Sequence, residues 1–172
     1  MNIFFLGYMA YGKSTIGKML AKNIQFDFLD LDSFIEINEG CSIPEIFKTK
    51  GEIYFRKIEH KYLKQVLNLD NTIVALGGGT PCYANNMEIL NENPKAKTVF
   101  LKAKITTLVD RLMNEKESRP LISHINQEDI MTEFVGKHLF ERSKFYQQSD
   151  LTIDIDDKST EDIVKEMKTK LF

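Results

Sequence analysis

The stretch Gly7-Tyr8-Met9-Ala10-Tyr11-Gly12-Lys13-Ser14-Thr15 satisfies the spacing G-x-x-x-x-G-K-[ST] and follows directly on the apolar run Ile3, Phe4, Phe5, Leu6. Residues of these types at this spacing capture anions. Backbone N–H groups of the turn, together with the unpaired N–H groups and positive dipole end of a following helix, converge on one point and favour a polyphosphate there. Lys13 is placed to reach the outer phosphates as a point charge, the Ser14 hydroxyl to hold a magnesium ion bridging them, and Thr15 to start the helix. Ala10 and Tyr11 stand where small residues are usual, so the backbone there must turn without a third glycine.

Other side chains fall where they could serve the same chemistry. Phe26 to Asp32 reads as a second strand whose exit carries Asp30 and Asp32, and in an open α/β sheet ligands sit at the carboxyl ends of strands. The run Thr72 to Leu76 stops at Gly77-Gly78-Gly79, where backbone can approach a ligand without side-chain obstruction. Arg56 and Glu59 lie beside an apolar helical stripe, and spacing leaves open whether they are a solvated pair. The charged stretch Glu115 to Leu121, closed by Pro120, is expected to be an exposed, mobile loop able to bring Arg119 onto a transferring phosphoryl group.

These residues need a scaffold, and the hydrophobic periodicity supplies one. Helices are expected from Ser14 to about Asn23, in two short pieces between Ser33 and Lys50 with a turn at Gly40, from about Gly51 to Asn68, and over Asn85 to Leu90. Further helices are expected from Thr106 to about Asn114, from Gln127 to Ser149, and through Ile163, Met167 and Leu171 with Ser159 as N-cap. Strands are expected at Ile3–Leu6, Phe26–Asp32, Thr72–Leu76, Thr98–Leu101 and Leu151–Ile155. Five strands alternating with helices predict an α/β protein: one three-layer α/β/α P-loop domain over residues 1–172 with a five-stranded parallel sheet.

Length and composition fit that scaffold and exclude other classes. At 172 residues and 42% hydrophobic content the chain suits one substantial core. A net charge of −2 from 23 basic and 25 acidic side chains supplies no general field for nucleic acid or an anionic membrane, so no nucleic-acid or membrane partner is expected. Tyr8, Tyr11, Tyr54 and Tyr62 lack the interleaved basic residues of a base-stacking surface. Cys41 and Cys82 form no C-x-x-C pair and read as reduced thiols. His60, His124 and His138 have no metal-ligand spacing and read as surface residues. With neither a signal-peptide pattern nor an apolar run of about 18 residues, a cytoplasmic protein is expected.

Spacing alone reaches a magnesium-dependent protein acting on a terminal phosphate and does not choose the acceptor. Several motifs together do more: G-Y-M-A-Y-G-K-S-T-I-G-K-M-L-A, L-D-L-D-S-F-I-E, S-I-P-E-I-F-K-T-K-G-E-I-Y-F-R-K-I-E, L-G-G-G-T, S-R-P-L and E-R-S-K-F-Y, in this order. In these the chain resembles the shikimate kinase family, of the nucleoside-monophosphate-kinase-like P-loop group. The resemblance implies transfer of the γ-phosphate of ATP, with Mg2+, to the 3-hydroxyl of shikimate by a monomer. It implies that Gly7, Met9, Ala10, Tyr11, Gly12, Lys13, Ser14 and Thr15 cradle the nucleotide, that Ser14 and Asp30 serve the metal, and that Arg111 flanks the adenine. It also implies that Asp32 contacts the shikimate hydroxyls and assists proton removal. Arg56 and Arg142 would grip the carboxylate, Gly77, Gly78 and Gly79 would line the pocket, and Arg119 would reach the phosphates from a lid over about 112–125. The segment over about 33–60 would bind substrate. No contact is assigned near Asp156 to Ser159. Two readings compete: a related kinase for gluconate or a nucleotide, and a nucleotide-binding protein without turnover.

Overall fold

The computed structural model describes residues 1–118 and 121–172. Strand β1 (Asn2–Leu6) is buried at every position and lies at the centre of a five-stranded sheet. β2 (Asp27–Asp30) and β3 (Thr72–Ala75) follow on one side, β4 (Ala96–Lys102) and β5 (Leu151–Asp154) on the other, in the order β2-β3-β1-β4-β5. Every pairing is parallel. Helices cover both faces, which is why β1 and β3 read as unbroken apolar runs. The core is continuous, joining Phe4, Phe5, Val74, Val99 and Ile153 of the sheet to Leu20, Leu63, Leu108 and Val164 of the covering helices.

Helix α1 (Lys13–Ile24) starts immediately after the glycine turn, with Gly12 at its N-cap in the left-handed region, φ 77°. α2 (Leu31–Glu39) begins two residues earlier than the periodicity predicts. Asp30 is its N-cap, accepting from Ser33 N at 3.2 Å, so Asp32 sits in the first helical turn and the strand-alternation problem disappears. α3 (Ile43–Val66) is two helices in one, broken where Gly51 adopts φ 82° and ψ 171°. The sequence places its boundary at the same glycine, because only the shorter piece after Ser42 and the longer apolar stripe after Gly51 have independent periodicity.

α4 (Asn86–Glu92), α5 (Ile105–Glu115), α6 (Glu128–Tyr146) and α7 (Thr160–Leu171) complete the covering layers. β4 runs three residues longer than its apolar centre suggests, and α6 ends three residues short of Ser149. The segment after α5 carries a short 3-10 turn, Lys116–Ser118. Lys116 Nζ donates to Asn126 Oδ1 at 2.6 Å, Ile122 is fully buried and Leu121 is exposed. No described helix is long and apolar enough to cross a membrane.

Candidate active site

The chain runs from β1 to β2 on one side of the sheet and later reaches β4 on the other, so a crevice opens at the carboxyl end of β1. The glycine turn fills its mouth. A cleft of about 540 Å³ lies there, lined by residues 9–15, Asp30, Asp32, Gly77, Gly78 and Arg111. Thus four separate chain segments predicted to meet a nucleotide and its acceptor share one cavity. Gly7 lies under the loop instead, with the Tyr11 ring packed so closely that any side chain at position 7 would collide with it.

Ala10 takes φ 63°, the left-handed conformation for which glycine is the usual residue, and its carbonyl accepts from Arg111 Nη1 at 2.9 Å. Tyr11 is 1% exposed, with its ring 6.1 Å from that of Phe100; burial pushes its hydroxyl pKa to about 12. The bulky residue is therefore accommodated by pointing into the core beneath the loop. Arg111 holds the loop backbone here and lines the cleft as well.

Lys13 Nζ donates to Gly7 O at 2.6 Å and Tyr8 O at 2.9 Å, and so lies across the centre of the turn. Ser14 Oγ donates to Asp30 Oδ2 at 3.0 Å. A serine hydroxyl and one carboxylate at this separation fit magnesium, which keeps several waters and takes its remaining oxygens from phosphates. Among the described residues no group of three His, Cys, Asp or Glu side chains could hold a metal unaided.

Asp32 faces the same cleft. Burial, then the neighbouring Asp30 and Glu59 charges, raise its pKa to about 6, against the opposing pull of Lys13. A carboxylate so placed ionises near neutrality and can accept a proton.

The three glycines form a strip on which the acceptor-side residues rest. A Cβ at Gly77 would lie 2.9 Å from Asp32 Oδ1, at Gly78 3.2 Å from Arg142 Nη1, and at Gly79 2.9 Å from Arg56 Nη2. Side chains at these positions would displace the groups that the sequence nominates for the acceptor. Arg56, Gly79 and Arg142 do not line the 540 Å³ cleft, but the strip connects them to it through Gly77 and Gly78.

Arg56 is not half of a solvated pair. Glu59 is 1% exposed and accepts from Arg56 Nη1 at 2.9 Å and from Thr80 Oγ1 at 2.7 Å. Asn86, also buried, donates to Thr80 O at 2.7 Å and meets His60 Nδ1 at 2.6 Å. The Arg56 guanidinium lies over the Tyr83 ring, 3.8 Å from its centroid. Arg56 Nε is 3.6 Å from Glu52 Oε1, too far to bond, and has no acceptor among the described residues. Arg142 lies 5.4 Å from the Tyr8 ring centroid, and Tyr146, which bonds Gly78 O at 2.6 Å, flanks it.

The sequence reading missed several residues. His60 and His138 are partly buried and hydrogen-bonded, to Asn86 and to Tyr8, where surface positions are expected; His124 is exposed. Glu59, Thr80 and Asn86 carried no motif, since their role arises only when α3 packs beside the glycine strip. Glu115, at the start of the expected lid loop, lines the cleft, and so do Ile155, Lys158 and Thr160, at a segment given no role. The carboxyl end of β5 was the available signal for the last three. Cys41 and Cys82 are free thiols, and burial raises the Cys82 pKa to about 11, as expected of unreactive packing residues. Arg119 lies outside the described residues.

Comparison with known proteins gives one consistent result. The shikimate kinase family model matches residues 9–172. The shikimate kinase of Flavobacterium psychrophilum is 45% identical over 172 residues, covering 99% of each chain, and that of Flavobacterium johnsoniae is 46% identical over 167 residues, covering 96% of each. The crystal structure of shikimate kinase from Bacteroides thetaiotaomicron superposes with a TM-score of 0.92 at 33% identity, covering 99% of this chain and 98% of that one. The enzyme from Acinetobacter baumannii, solved in complex with shikimate, gives 0.87 at 29% identity, covering 99% and 92%. With a glycine turn, a glycine strip and the side chains between them in one crevice, and with relatives matching from end to end, this chain belongs to the shikimate kinase family.

Proposed function

We propose that the cleft is the catalytic centre of an ATP:shikimate 3-phosphotransferase and that the residues gathered there divide the work as follows. Residues 9–15 receive the triphosphate on backbone N–H groups, with Lys13 turning from its own loop carbonyls to the outer phosphates. Ser14 and Asp30 would hold magnesium, which when bound neutralises charge on the phosphate oxygens. Arg111, Ile155, Lys158 and Thr160 bound the side of the cleft suited to the nucleoside. Arg56 and Arg142 bind the shikimate carboxylate, and Asp32 orients the 3-hydroxyl and accepts its proton as the oxygen attacks the γ-phosphorus. The β–γ bridging oxygen leaves with ADP. Arg119 completes the charge on the phosphates from the lid over about 112–125, and the segment over about 33–60 carries the acceptor site; both belong to a single domain that works as a monomer.

The observation that carries this reading is the order along one strip. Asp32, Arg142 and Arg56 rest on Gly77, Gly78 and Gly79 in turn, so one carboxylate stands at one end of the strip and two guanidinium groups follow it. A ring bearing a carboxylate and hydroxyl groups needs that polarity, whereas a nucleotide acceptor would need a base pocket. Pure protein with Mg2+ and ATP is expected to release ADP only when shikimate is added, in a coupled assay, with gluconate and nucleoside monophosphates inactive. ADP release independent of shikimate, or none with any acceptor, refutes the assignment.

A further inference from the structure

Arg56 and Arg142 are held by different means. Arg56 is tied to a buried carboxylate, Glu59, which offsets part of its charge. Arg142 has no ion-pair partner among the described residues; its neighbours are the Tyr8 ring, the Tyr146 hydroxyl and the backbone of Gly78. An arginine positioned by aromatic faces keeps its full charge for a ligand. It then depends on those rings staying still.

Tyr8 is fixed from the opposite side. Its hydroxyl lies 2.7 Å from His138 Nδ1, and His138 sits one helical turn before Arg142 on α6, so both reach the same tyrosine. The imidazole is itself wedged edge-on against Phe134, with ring centroids 4.5 Å apart. Burial raises the Tyr8 pKa to about 12, and burial followed by the Arg142 charge lowers that of His138, so the phenol donates and the neutral imidazole accepts at Nδ1. Tyr8 also belongs to the phosphate loop: its main-chain carbonyl accepts from Lys13 Nζ at 2.9 Å. One residue thus touches the nucleotide lysine through its backbone and the acceptor arginine through its ring.

We propose that Tyr8 and His138 are positioning residues for Arg142. The proposal rests on the reading of Arg142 as a grip on the shikimate carboxylate.

The test uses the full chain with Tyr8→Phe, which keeps the ring and removes the hydroxyl, His138→Leu, the double variant, and His138→Asn, whose Oδ1 can accept in place of Nδ1. Loss of one hydrogen bond predicts a shikimate KM raised about three- to tenfold for Tyr8→Phe and for His138→Leu, with the ATP KM and kcat within about twofold of the parent. The double variant should be no worse than the worse single one, and His138→Asn should restore most of the affinity. Shikimate titrated into the full chain should bind Tyr8→Phe and His138→Leu about three- to tenfold more weakly than the parent, matching the change in KM. Additive effects, equal changes in both KM values, or an unaltered shikimate affinity in both single variants would overturn the proposal. A parent protein without shikimate-dependent turnover would instead overturn the functional reading beneath it.

Discussion

Replacing Asp32 with asparagine should stabilise the fold and abolish turnover, because the carboxylate is held where its charge is costly. The rise in its pKa from the ordinary 3.8 to about 6 corresponds to about 3 kcal/mol against the ionised form. Water reaching this half-buried group through the cleft reduces that to about 1–3 kcal/mol. The sign follows from linkage: the folded state binds the proton more tightly than the unfolded one, so stability falls as pH rises from 3.8 through 6. Above pH 6 the full penalty is present, and asparagine escapes it while keeping the shape. Urea unfolding at pH 8 should therefore show Asp32→Asn more stable by about 1–3 kcal/mol, with the gain vanishing toward pH 4. Turnover should drop by about 10²- to 10⁴-fold through loss of the proton acceptor. In the parent, kcat/KM for shikimate should fall about tenfold per pH unit below about 6 as the carboxyl is protonated. A variant of equal or lower stability at pH 8, or a flat profile from pH 5 to 8, would refute the reasoning from burial to charge to catalysis.

Glu59→Ala removes a buried anion from Arg56 and Thr80 together, so guanidine unfolding should show a loss of about 2–4 kcal/mol, and the surviving fold a raised shikimate KM. Ala10→Gly relieves a left-handed alanine and should raise stability by about 0.5–1 kcal/mol in thermal unfolding, with ATP turnover retained; a loss would mean that Tyr11 and Arg111 prefer the alanine loop. Lys13→Met should cripple kcat, whereas Arg142→Ala should raise the shikimate KM far more than the ATP KM; steady-state kinetics with each substrate varied separates the two, and equal small effects would contradict the assigned roles.

The sequence by itself determined the parts whose physics is local. An apolar run entering G-x-x-x-x-G-K-[ST] fixes a strand, an anion-binding turn and a helix start within a few residues, and β1, Gly12 and α1 follow that order. Gly77 to Gly79 after β3, the break at Gly51 and the Ser159 cap were likewise legible, each being a backbone requirement met by the residue itself. Tertiary structure alone decided what spans distant segments. Whether Arg56 and Glu59 are solvated or buried depends on α3 lying beside Thr80, and His138 is a surface residue until α6 brings it to the Tyr8 hydroxyl. The fate of Tyr11 depends on space between Gly7 and Phe100, which belongs to the packed sheet and not to the loop. Periodicity records which face of an element is apolar, but it carries no information on which polar atom of another element will meet that face; only close packing supplies the partner.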